Sequence, residues 1–289
     1  MGRLMPVEEI AKVGVVGCGV MGAGLVELCA RAGLPVRVAA SSRQSAERGR
    51  RRLASCYTAA VERGRMSLAE RARAEELTSF SADLADLADC DLVIESVTEV
   101  EELKVTIFKG LSTVVPSGTV LASNTSSIPL DALVAAAGGV PVLGLHFFNP
   151  VPVMPLVELA RPASTDESVA KRVSVFLAER LGKEVIRSAN RPGLIVNALL
   201  VPYLLDAIRM VESGHATADD IDRGMVAGCG YPMGPLRLAD MVGLDTLVEV
   251  AERLFLELAN PSYKAPALLF AMVAEGRLGR KSGHGFYRY

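Results

Sequence analysis

Short apolar runs alternate with segments of helical periodicity over the first part of the chain. The runs are KVGVVG (12–17), VRVAA (36–40), DLVIESV (91–97), TVLASN (119–124) and VPVLGLHFF (140–148), and EVIRS (184–188) can add a last one. Such runs, often β-branched and bounded by glycine or polar residues, are typical of strands buried in a parallel sheet. Helical spacing of apolar residues marks the segments 23–32, 46–63, 68–77 and 101–115. This alternation predicts an α/β fold with a doubly wound, mostly parallel sheet covered by helices on both faces.

The pattern changes near Ser188. Beyond ANRPGLIVN the strand signals vanish, and the chain becomes helical, with breaks at YPMGP (231–235) and ANPSY (259–263). Segments rich in glycine and proline punctuate helices in this way. We therefore predict a boundary within 187–192, with an α/β domain over 1–188 and an all-helical C-terminal domain over 189–289.

Composition and charge exclude several classes of protein. The chain has 31 basic and 33 acidic residues and a formal net charge of -2, so no overall attraction to nucleic acid or anionic membranes is expected. No uncharged apolar run is long enough to span a membrane, and the N-terminal segment lacks the apolar core of a signal peptide. The five cysteines form no C-x-x-C pair, so neither a disulfide framework nor a metal site is expected. We expect a cytoplasmic protein that acts on a small molecule.

The segment GCGVMG (17–22) directly follows the first predicted strand and opens the first helix. It fits the pattern G-x-G-x-x-G, in which one glycine permits a tight turn, one lets the backbone approach a pyrophosphate, and one allows close helix packing. The three glycines are Gly17, Gly19 and Gly22. The helix N-terminus, with Val20 and Met21, adds N–H donors and a partial positive charge for phosphates. This context predicts a Rossmann-type site for a dinucleotide.

The end of the second predicted strand lacks the acidic residue that usually binds the ribose hydroxyls of NAD. Ala40 stands there, followed by Ser41, Ser42 and Arg43. An acidic group would repel the 2′-phosphate of NADP, whereas the hydroxyls and Arg43 offer donors and positive charge to it. We predict NADP as the cofactor, with NAD as the alternative. The same cluster could instead be an ordinary polar helix cap, since serine is a favoured cap residue.

His146 is the candidate general base among the three histidines. It lies at the carboxyl edge of the predicted sheet, where ligands of open α/β folds bind. Glu158 is the lone carboxylate in an otherwise apolar stretch, and burying it unpaired would be costly. Paired with the imidazole, it would orient the ring and stabilise the imidazolium that forms when His146 accepts a proton. A core histidine with a structural partner is the alternative interpretation.

Several motifs in order along residues 11–289 resemble the L-3-hydroxyacyl-CoA dehydrogenase family. They are GCGVMGAG, DLVIESVTE, LASNTSS, HFFNPVPVM-x-LVE, PGLIVN, YPMGPLRLADMVGLD and GRKSGHGFYRY. The resemblance implies hydride transfer between a nicotinamide and C3 of a 3-hydroxyacyl thioester, with His146 as the base and Glu158 orienting it. It also implies a homodimer formed through the helical domain, for which the apolar stretch LIVNALLVPYLLDAIRM offers support.

Further site residues follow from the resemblance alone. Ser126 matches the residue that bonds the reacting substrate oxygen, and Asn197 matches the one placed against the substrate carbonyl. Ser55 matches a serine that contacts coenzyme A. Cofactor contacts of the family match Glu99, Lys104, Asn149 and Lys281. Asn149 could instead be a turn former before a proline, and Lys104 an exposed helix residue.

Three positions depart from the family's pattern. The aspartate that ends the second strand is Ala40, and the usual lysine of the HFFNP segment is Pro155. The helices after the second strand, which in the family hold a serine and a lysine that touch coenzyme A, keep Ser55 but have Glu62 near the position expected for the lysine, with Arg63 beside it. Loss of this lysine would weaken recognition of the nucleotide part of coenzyme A. It would suit a substrate carried on the phosphopantetheine of an acyl carrier protein.

These observations lead to one main hypothesis and two alternatives. The main hypothesis is an NADP-preferring dehydrogenase of short 3-hydroxyacyl thioesters, similar to the 3-hydroxybutyryl-CoA enzymes. The first alternative is a dehydrogenase of substrates bound to an acyl carrier protein, as in polyketide extender-unit biosynthesis. The second is a catalytically silent NADP-binding sensor, which would bind nucleotide without turning over any thioester.

Overall fold

The computed structural model describes residues 9–289. The chain divides into two compact units, the first ending at Asn190 and the second spanning Arg191–Tyr289.

The first unit is built on one eight-stranded sheet with the order β3-β2-β1-β4-β5-β6-β7-β8. Its strands are β1 (Val13–Val16), β2 (Val36–Ala39), β3 (Thr78–Ser81), β4 (Leu92–Glu95), β5 (Val120–Ser123), β6 (Val142–Phe147), β7 (Leu156–Ala160) and β8 (Glu184–Ser188). Neighbouring strands are parallel except β6 and β7, which are antiparallel. The predicted doubly wound, mostly parallel sheet is confirmed.

Six helices accompany this sheet in the described part of the first unit. They are α1 (Val20–Arg31), α2 (Arg43–Glu62), α3 (Leu68–Glu76), α4 (Glu101–Ser112), α5 (Asp131–Ala136) and α6 (Glu167–Val175). A 3-10 helix covers Leu84–Leu87, and α6 continues into a π-helical turn, Phe176–Arg180. Side-chain caps begin several helices: Ser67 and Glu70 form a capping box at α3, in which each side chain bonds the other residue's backbone N–H.

Two strands, β3 and β7, were not expected from the sequence. The four residues of β3 are all only partly buried and mostly polar, so the strand lacks the apolar signature of its neighbours. In β7 the residues LVELA, apart from Val157, are good helix formers, and a run this short shows no decisive period. Pairing with β6 and β8 decides the conformation of the β7 residues.

The antiparallel pairing of β6 and β7 has a direct consequence for the candidate base. Its register sets Gly144 opposite Ala160 and His146 opposite Glu158. Directly opposed side chains in such a pair stand on the same face of the sheet with their Cβ atoms about 5 Å apart. The strand register therefore brings together two residues that are twelve positions apart in the sequence.

The second unit is helical, as predicted. It contains α7 (Val196–Glu212), α8 (Ala218–Cys229), α9 (Pro235–Val242), α10 (Leu244–Leu258) and α11 (Ala267–Ala274). Short 3-10 helices cover Pro261–Tyr263 and Arg280–Ser282, and isolated β-bridges at His284 fold the tail. The core contains fully buried apolar residues of four helices, among them Leu205, Leu236, Leu254 and Leu269.

Two buried aspartates organise this second unit. Asp222 accepts the backbone N–H groups of Leu236 and Arg237 at the start of α9, at 2.8 and 3.0 Å. Asp240 accepts the N–H groups of Phe286 and Tyr287 in the C-terminal tail, both at 2.9 Å. The tail is thereby fixed onto the helices. None of the helices formed by residues 9–289 is both long and apolar enough to cross a membrane.

Candidate active site

His146 and Glu158 form a close pair on neighbouring strands. The Nδ1 of His146 lies 2.7 Å from Oε2 of Glu158, whose side chain is fully buried, while 11% of the His146 side chain is exposed. An ionised carboxylate only accepts hydrogen bonds, so Nδ1 carries a hydrogen and Nε2 of the neutral ring keeps its lone pair. The arrangement can take a proton at Nε2 and stabilise the resulting imidazolium through Glu158.

The segment between these two residues is held by a buried lysine. The Nζ of Lys183 donates to the carbonyl oxygens of Val151 and Met154, at 2.7 Å each. Burial lowers the pKa of this lysine. Pro155, where the family's usual lysine is missing, accepts the N–H of Glu184 at 2.8 Å. Asn149, a predicted cofactor contact in this segment, is exposed.

Ser126 lies in the loop that follows β5, and this loop bonds to Glu99. The backbone N–H of Ser126 donates to Oε1 of Glu99 at 3.3 Å, and the hydroxyl of Ser127 donates to the same oxygen at 2.9 Å. The hydroxyl of Thr125 also bonds to it. Burial would raise the pKa of Glu99, but the charge of Lys104 and these hydroxyls outweigh it and hold that pKa below its ordinary value.

Asn124 links the Ser126 loop to the strand that carries His146. Its side-chain oxygen accepts the N–H of Phe147 at 3.0 Å, and its side-chain nitrogen donates to the hydroxyl of Ser96 at 3.3 Å. The ends of β4, β5 and β6 are thus tied at one edge of the sheet. The structure therefore brings Ser126 and His146, both predicted site residues, to the same edge.

Glu95 is a buried charged residue at this edge that is not among the site residues predicted from the sequence. It ends β4, is fully buried, and accepts the ammonium of Lys104 on both carboxylate oxygens at 2.8 Å. The alternative that Lys104 is an exposed helix residue is wrong, because its side chain is fully buried. A lone carboxylate in an apolar run, the signal that drew attention to Glu158, would have found Glu95 as well.

The turn between β1 and α1 has the geometry that a dinucleotide requires. Gly17 has φ +90, and a Cβ there would lie 2.8 Å from the carbonyl oxygen of Ser96. A Cβ on Gly22 would lie 2.2 Å from the carbonyl oxygen of Gly17, whereas one on Gly19 would meet nothing within 4 Å. The first turn of α1 contains no acidic residue. The N–H groups of Val20, Met21 and Gly22 thus stand at a helix N-terminus open to an anion, and a pyrophosphate fits there.

The polar residues after Ala40 begin α2. Ser42 is its N-cap and accepts the N–H of Ser45 at 3.1 Å, so the capping role of this serine is observed. The hydroxyl of Ser41 lies 3.2 Å from that of Ser45. Arg43 is exposed and lines a cavity of about 580 Å³ together with Arg50 and Phe80. The hydroxyls of Ser41 and Ser42 both donate to the hydroxyl oxygen of Ser45, so they would have to rotate to serve a phosphate, whereas the Arg43 side chain is exposed.

Ser55 and Glu62 lie on one exposed face of α2. They are seven residues apart, which is about two helical turns. The hydroxyl of Ser55 bonds back to the carbonyl of Arg51 at 3.0 Å. Glu62 is the last residue of the helix, and Arg63 is its C-cap. A carboxylate therefore stands two turns beyond Ser55.

The second unit holds the remaining predicted site residues. Asn197 is the second residue of α7. Lys281 forms an ion pair with Asp245 at 2.5 Å within the same unit. Over residues 9–289 no group of three or more histidine, cysteine, aspartate or glutamate side chains could hold a metal ion.

Comparisons with known proteins place both units of the chain in one family. Residues 12–191 match the model of the 3-hydroxyacyl-CoA dehydrogenase NAD binding domain, and residues 193–289 match the C-terminal domain of the same family. A 3-hydroxybutyryl-CoA dehydrogenase of Mycobacterium tuberculosis is 53% identical over 285 residues, covering 98% of this chain and 99% of that protein. The human mitochondrial hydroxyacyl-coenzyme A dehydrogenase is 36% identical, covering 97% and 91%.

Solved structures agree with these sequence matches. The crystal structure of M. tuberculosis FadB2 has a TM-score of 0.94 and 52% identity, covering 98% of this chain and 100% of that one. The (S)-3-hydroxybutyryl-CoA dehydrogenase of Ralstonia eutropha has a TM-score of 0.87 and 41% identity, covering 97% and 99%. The chain therefore belongs to the 3-hydroxyacyl-CoA dehydrogenase family.

Proposed function

We propose that the protein is an NADP-preferring dehydrogenase that transfers a hydride between a nicotinamide and C3 of a short 3-hydroxyacyl thioester. Its family makes it an NAD(P)-dependent oxidoreductase that acts on CH–OH groups of hydroxyacyl-CoA substrates. Relatives are named 3-hydroxybutyryl-CoA dehydrogenases, and this name suggests the short acyl chain. The observation that carries the proposal is the His146–Glu158 pair at 2.7 Å.

In this proposal His146 is the general base for the 3-hydroxyl group. Nε2 of the neutral ring accepts the hydroxyl proton during oxidation and returns it during reduction. Glu158 keeps the ring in the required tautomer and stabilises the imidazolium. When bound, the nicotinamide supplies or accepts the hydride.

Other assignments rest on the motifs that this chain shares with its family. Ser126 bonds the reacting oxygen, and Asn197 is the partner of the thioester carbonyl. Ser55 contacts the coenzyme A or carrier moiety of the substrate. The cofactor contacts are the turn 17–22, Glu99, Asn149 and Lys281. Lys104 also matches a cofactor contact of the family, but its fully buried ammonium is bonded to Glu95 and Glu99, so it supports Glu99 and does not touch the cofactor itself.

The preference for NADP is supported by the start of α2. Ala40 places no negative charge at the end of β2, and the exposed Ser41, Ser42 and Arg43 follow it. Hydrogen bonds to charged groups contribute roughly 1.5 to 3 kcal/mol each, which is about one to two decades of affinity. One or two such bonds to a 2′-phosphate are enough to reverse a preference for NAD.

A carrier-protein substrate is the second candidate. It is favoured by the position of Glu62, a carboxylate on the exposed face of α2 two turns beyond Ser55. A negative charge there would repel the phosphates of a free coenzyme A nucleotide. The phosphopantetheine arm of a carrier protein has no such nucleotide.

The helical unit is the proposed substrate-binding and dimerisation domain of a cytoplasmic homodimer. Large apolar side chains are exposed on it, including Leu199 (72%) and Leu256 (80%). Apolar surface of this kind, if contiguous, marks sites of protein association.

One assay matrix tests the function, the carrier and the cofactor. Acetoacetyl-CoA and acetoacetyl-acyl carrier protein are each reduced with NADPH and with NADH, and kcat/KM is measured for the four combinations. We expect turnover of acetoacetyl-CoA with a higher kcat/KM for NADPH. Turnover of the carrier-bound substrate alone supports the second candidate. Nucleotide binding without any turnover contradicts both and supports the sensor.

A further inference from the structure

Three charged side chains form a cluster at the end of β4, and we call it the Glu95–Lys104–Glu99 cluster. Glu95 ends the strand, Glu99 lies in the following loop, and Lys104 is in the first half of α4. The side chains of Glu95 and Lys104 are fully buried, and that of Glu99 is 21% exposed. Buried charges destabilise a fold strongly unless they are paired and hydrogen-bonded, so the arrangement of these three needs an explanation.

Glu95 uses both of its oxygens fully. Oε1 accepts the N–H of Val97 at 2.6 Å and the ammonium of Lys104 at 2.8 Å. Oε2 accepts the same ammonium at 2.8 Å and the hydroxyl of Ser123 at 2.6 Å. Glu95 thereby fixes Lys104 relative to the ends of both β4 and β5.

Lys104, held by Glu95, in turn positions Glu99. Its ammonium has three hydrogens, and it faces three carboxylate oxygens: the two of Glu95 and Oε2 of Glu99 at 3.1 Å. The opposite oxygen of Glu99, Oε1, receives the backbone N–H of Ser126 and the hydroxyls of Thr125 and Ser127. The two oxygens of Glu99 therefore contact different groups: Oε2 faces Lys104, and Oε1 faces the loop of Ser126.

We propose that Glu95 is a positioning residue for Ser126, acting through Lys104 and Glu99. With Glu95 in place, the charge of Lys104 is shared by two carboxylates, so Glu99 keeps Oε1 for the loop. Without that charge, the ammonium is left with Glu99 alone and draws this carboxylate away from residues 125–127. The inference rests on the proposed function, because it gives the position of Ser126 a catalytic purpose.

The test compares a single variant with a double variant. Glu95→Gln removes one charge and leaves the buried ammonium with Glu99 as its one carboxylate partner in the cluster, whereas Glu95→Gln/Lys104→Met removes both charges of the buried pair. Replacing a buried ion pair by neutral residues of similar volume is often harmless to stability. The exposed residues Glu102 and Lys109 lie on α4, and Glu102→Gln and Lys109→Met are matched controls.

We expect Glu95→Gln to lower both Tm and kcat, with kcat for acetoacetyl-CoA reduced about 10- to 100-fold, since small misplacements of a reacting group cost rates of this order. The double variant should recover Tm but not kcat, because Glu99 then has no ammonium to hold it in place. The dissociation constant of NADPH should change less than kcat, because Glu99 is one of several proposed cofactor contacts. The controls should behave as wild type.

Three results overturn the proposal. In the first, kcat recovers together with Tm in the double variant, which means that the pair is only structural. In the second, NADPH affinity falls while kcat is retained, which means that the cluster serves the cofactor directly. In the third, hydrogen–deuterium exchange of the amides of residues 126–128 is no faster in either variant than in wild type. The exchange measurement needs no turnover, so it still tests the cluster if wild type fails to reduce thioesters and the proposed function falls.

Discussion

Buried carboxylates at the edge of the sheet differ in function because they face different groups. Glu158 faces one imidazole nitrogen, so its charge sets the tautomer of His146. Glu99 faces an ammonium and a loop of hydroxyl groups, so its charge sets the position of a backbone segment. No carboxylate stands at Ala40, and this absence is the basis of the proposed preference for NADP.

Replacing Ala40 with aspartate should shift cofactor preference from NADPH towards NADH. The new carboxylate would repel a 2′-phosphate and accept the ribose hydroxyls of NAD, and the expected change in the ratio of kcat/KM values is about one to two decades. Steady-state kinetics with both cofactors measure it. Ala163→Asp, at an exposed position of the same unit, is the control. An unchanged ratio in Ala40→Asp would mean that residues 41–43 are only a helix cap.

Glu99 should make the free energy of unfolding depend on pH. A carboxyl group whose pKa is lowered by folding stabilises the fold above its unfolded-state pKa, and this stabilisation is lost as the pH falls through the lower folded-state pKa. The free energy of unfolding should therefore decline below the ordinary value of about 4.5, and Glu99→Gln should decline less steeply. Urea unfolding at a series of pH values measures this. Equal declines in wild type and variant would refute it, and Glu102→Gln serves as the exposed control.

In the β1–α1 turn, two glycines are needed for the fold of the turn and a third leaves space for a ligand. Gly17 and Gly22 are required by the turn itself, because a side chain on either would collide with backbone. Gly19 is different, since a Cβ there meets no protein atom within 4 Å and its φ of -68 suits any residue. The space beside Gly19 is thus available to a ligand.

Alanine substitutions at two of these glycines should affect different properties, NADPH binding at Gly19 and thermal stability at Gly22. Gly19→Ala should leave Tm unchanged and weaken the binding of NADPH, since the methyl group occupies the space of the pyrophosphate. Gly22→Ala should lower Tm, because its Cβ would lie 2.2 Å from the carbonyl oxygen of Gly17. Thermal unfolding and fluorescence titration with NADPH measure the two effects. Tight binding to a stable Gly19→Ala variant would contradict the assignment of the turn.

Elements with a clear pattern of apolar residues were predictable from the sequence. Elements whose conformation depends on pairing with neighbouring strands were not. The apolar runs gave β1, β4 and β6 to within a few residues, because strands buried on both faces need such runs. The polar strand β3 forms because β2 offers it a partner, and β7 forms between β6 and β8. The Glu95–Lys104–Glu99 cluster depends on three elements, so only its buried carboxylate left a local signal.

The two units of the chain belong to one family framework. The first unit matches the NAD binding domain of the family and the second matches its C-terminal domain. The departures from the family's pattern that the sequence led us to expect are at single positions, Ala40, Glu62 and Pro155, and the two matched domains are those of the family. The framework is that of the family's common reaction, and the proposed cofactor and carrier preferences depend on these few positions.

The most direct test of the central claim is the kcat for reduction of acetoacetyl-CoA by the full-length His146→Gln variant. His215→Gln, the same substitution at an exposed histidine, is the matched control. Loss of a positioned general acid–base should lower kcat roughly 10²- to 10⁴-fold, while the control retains wild-type activity. Wild-type activity in His146→Gln, or no turnover by the wild-type protein, would contradict the account.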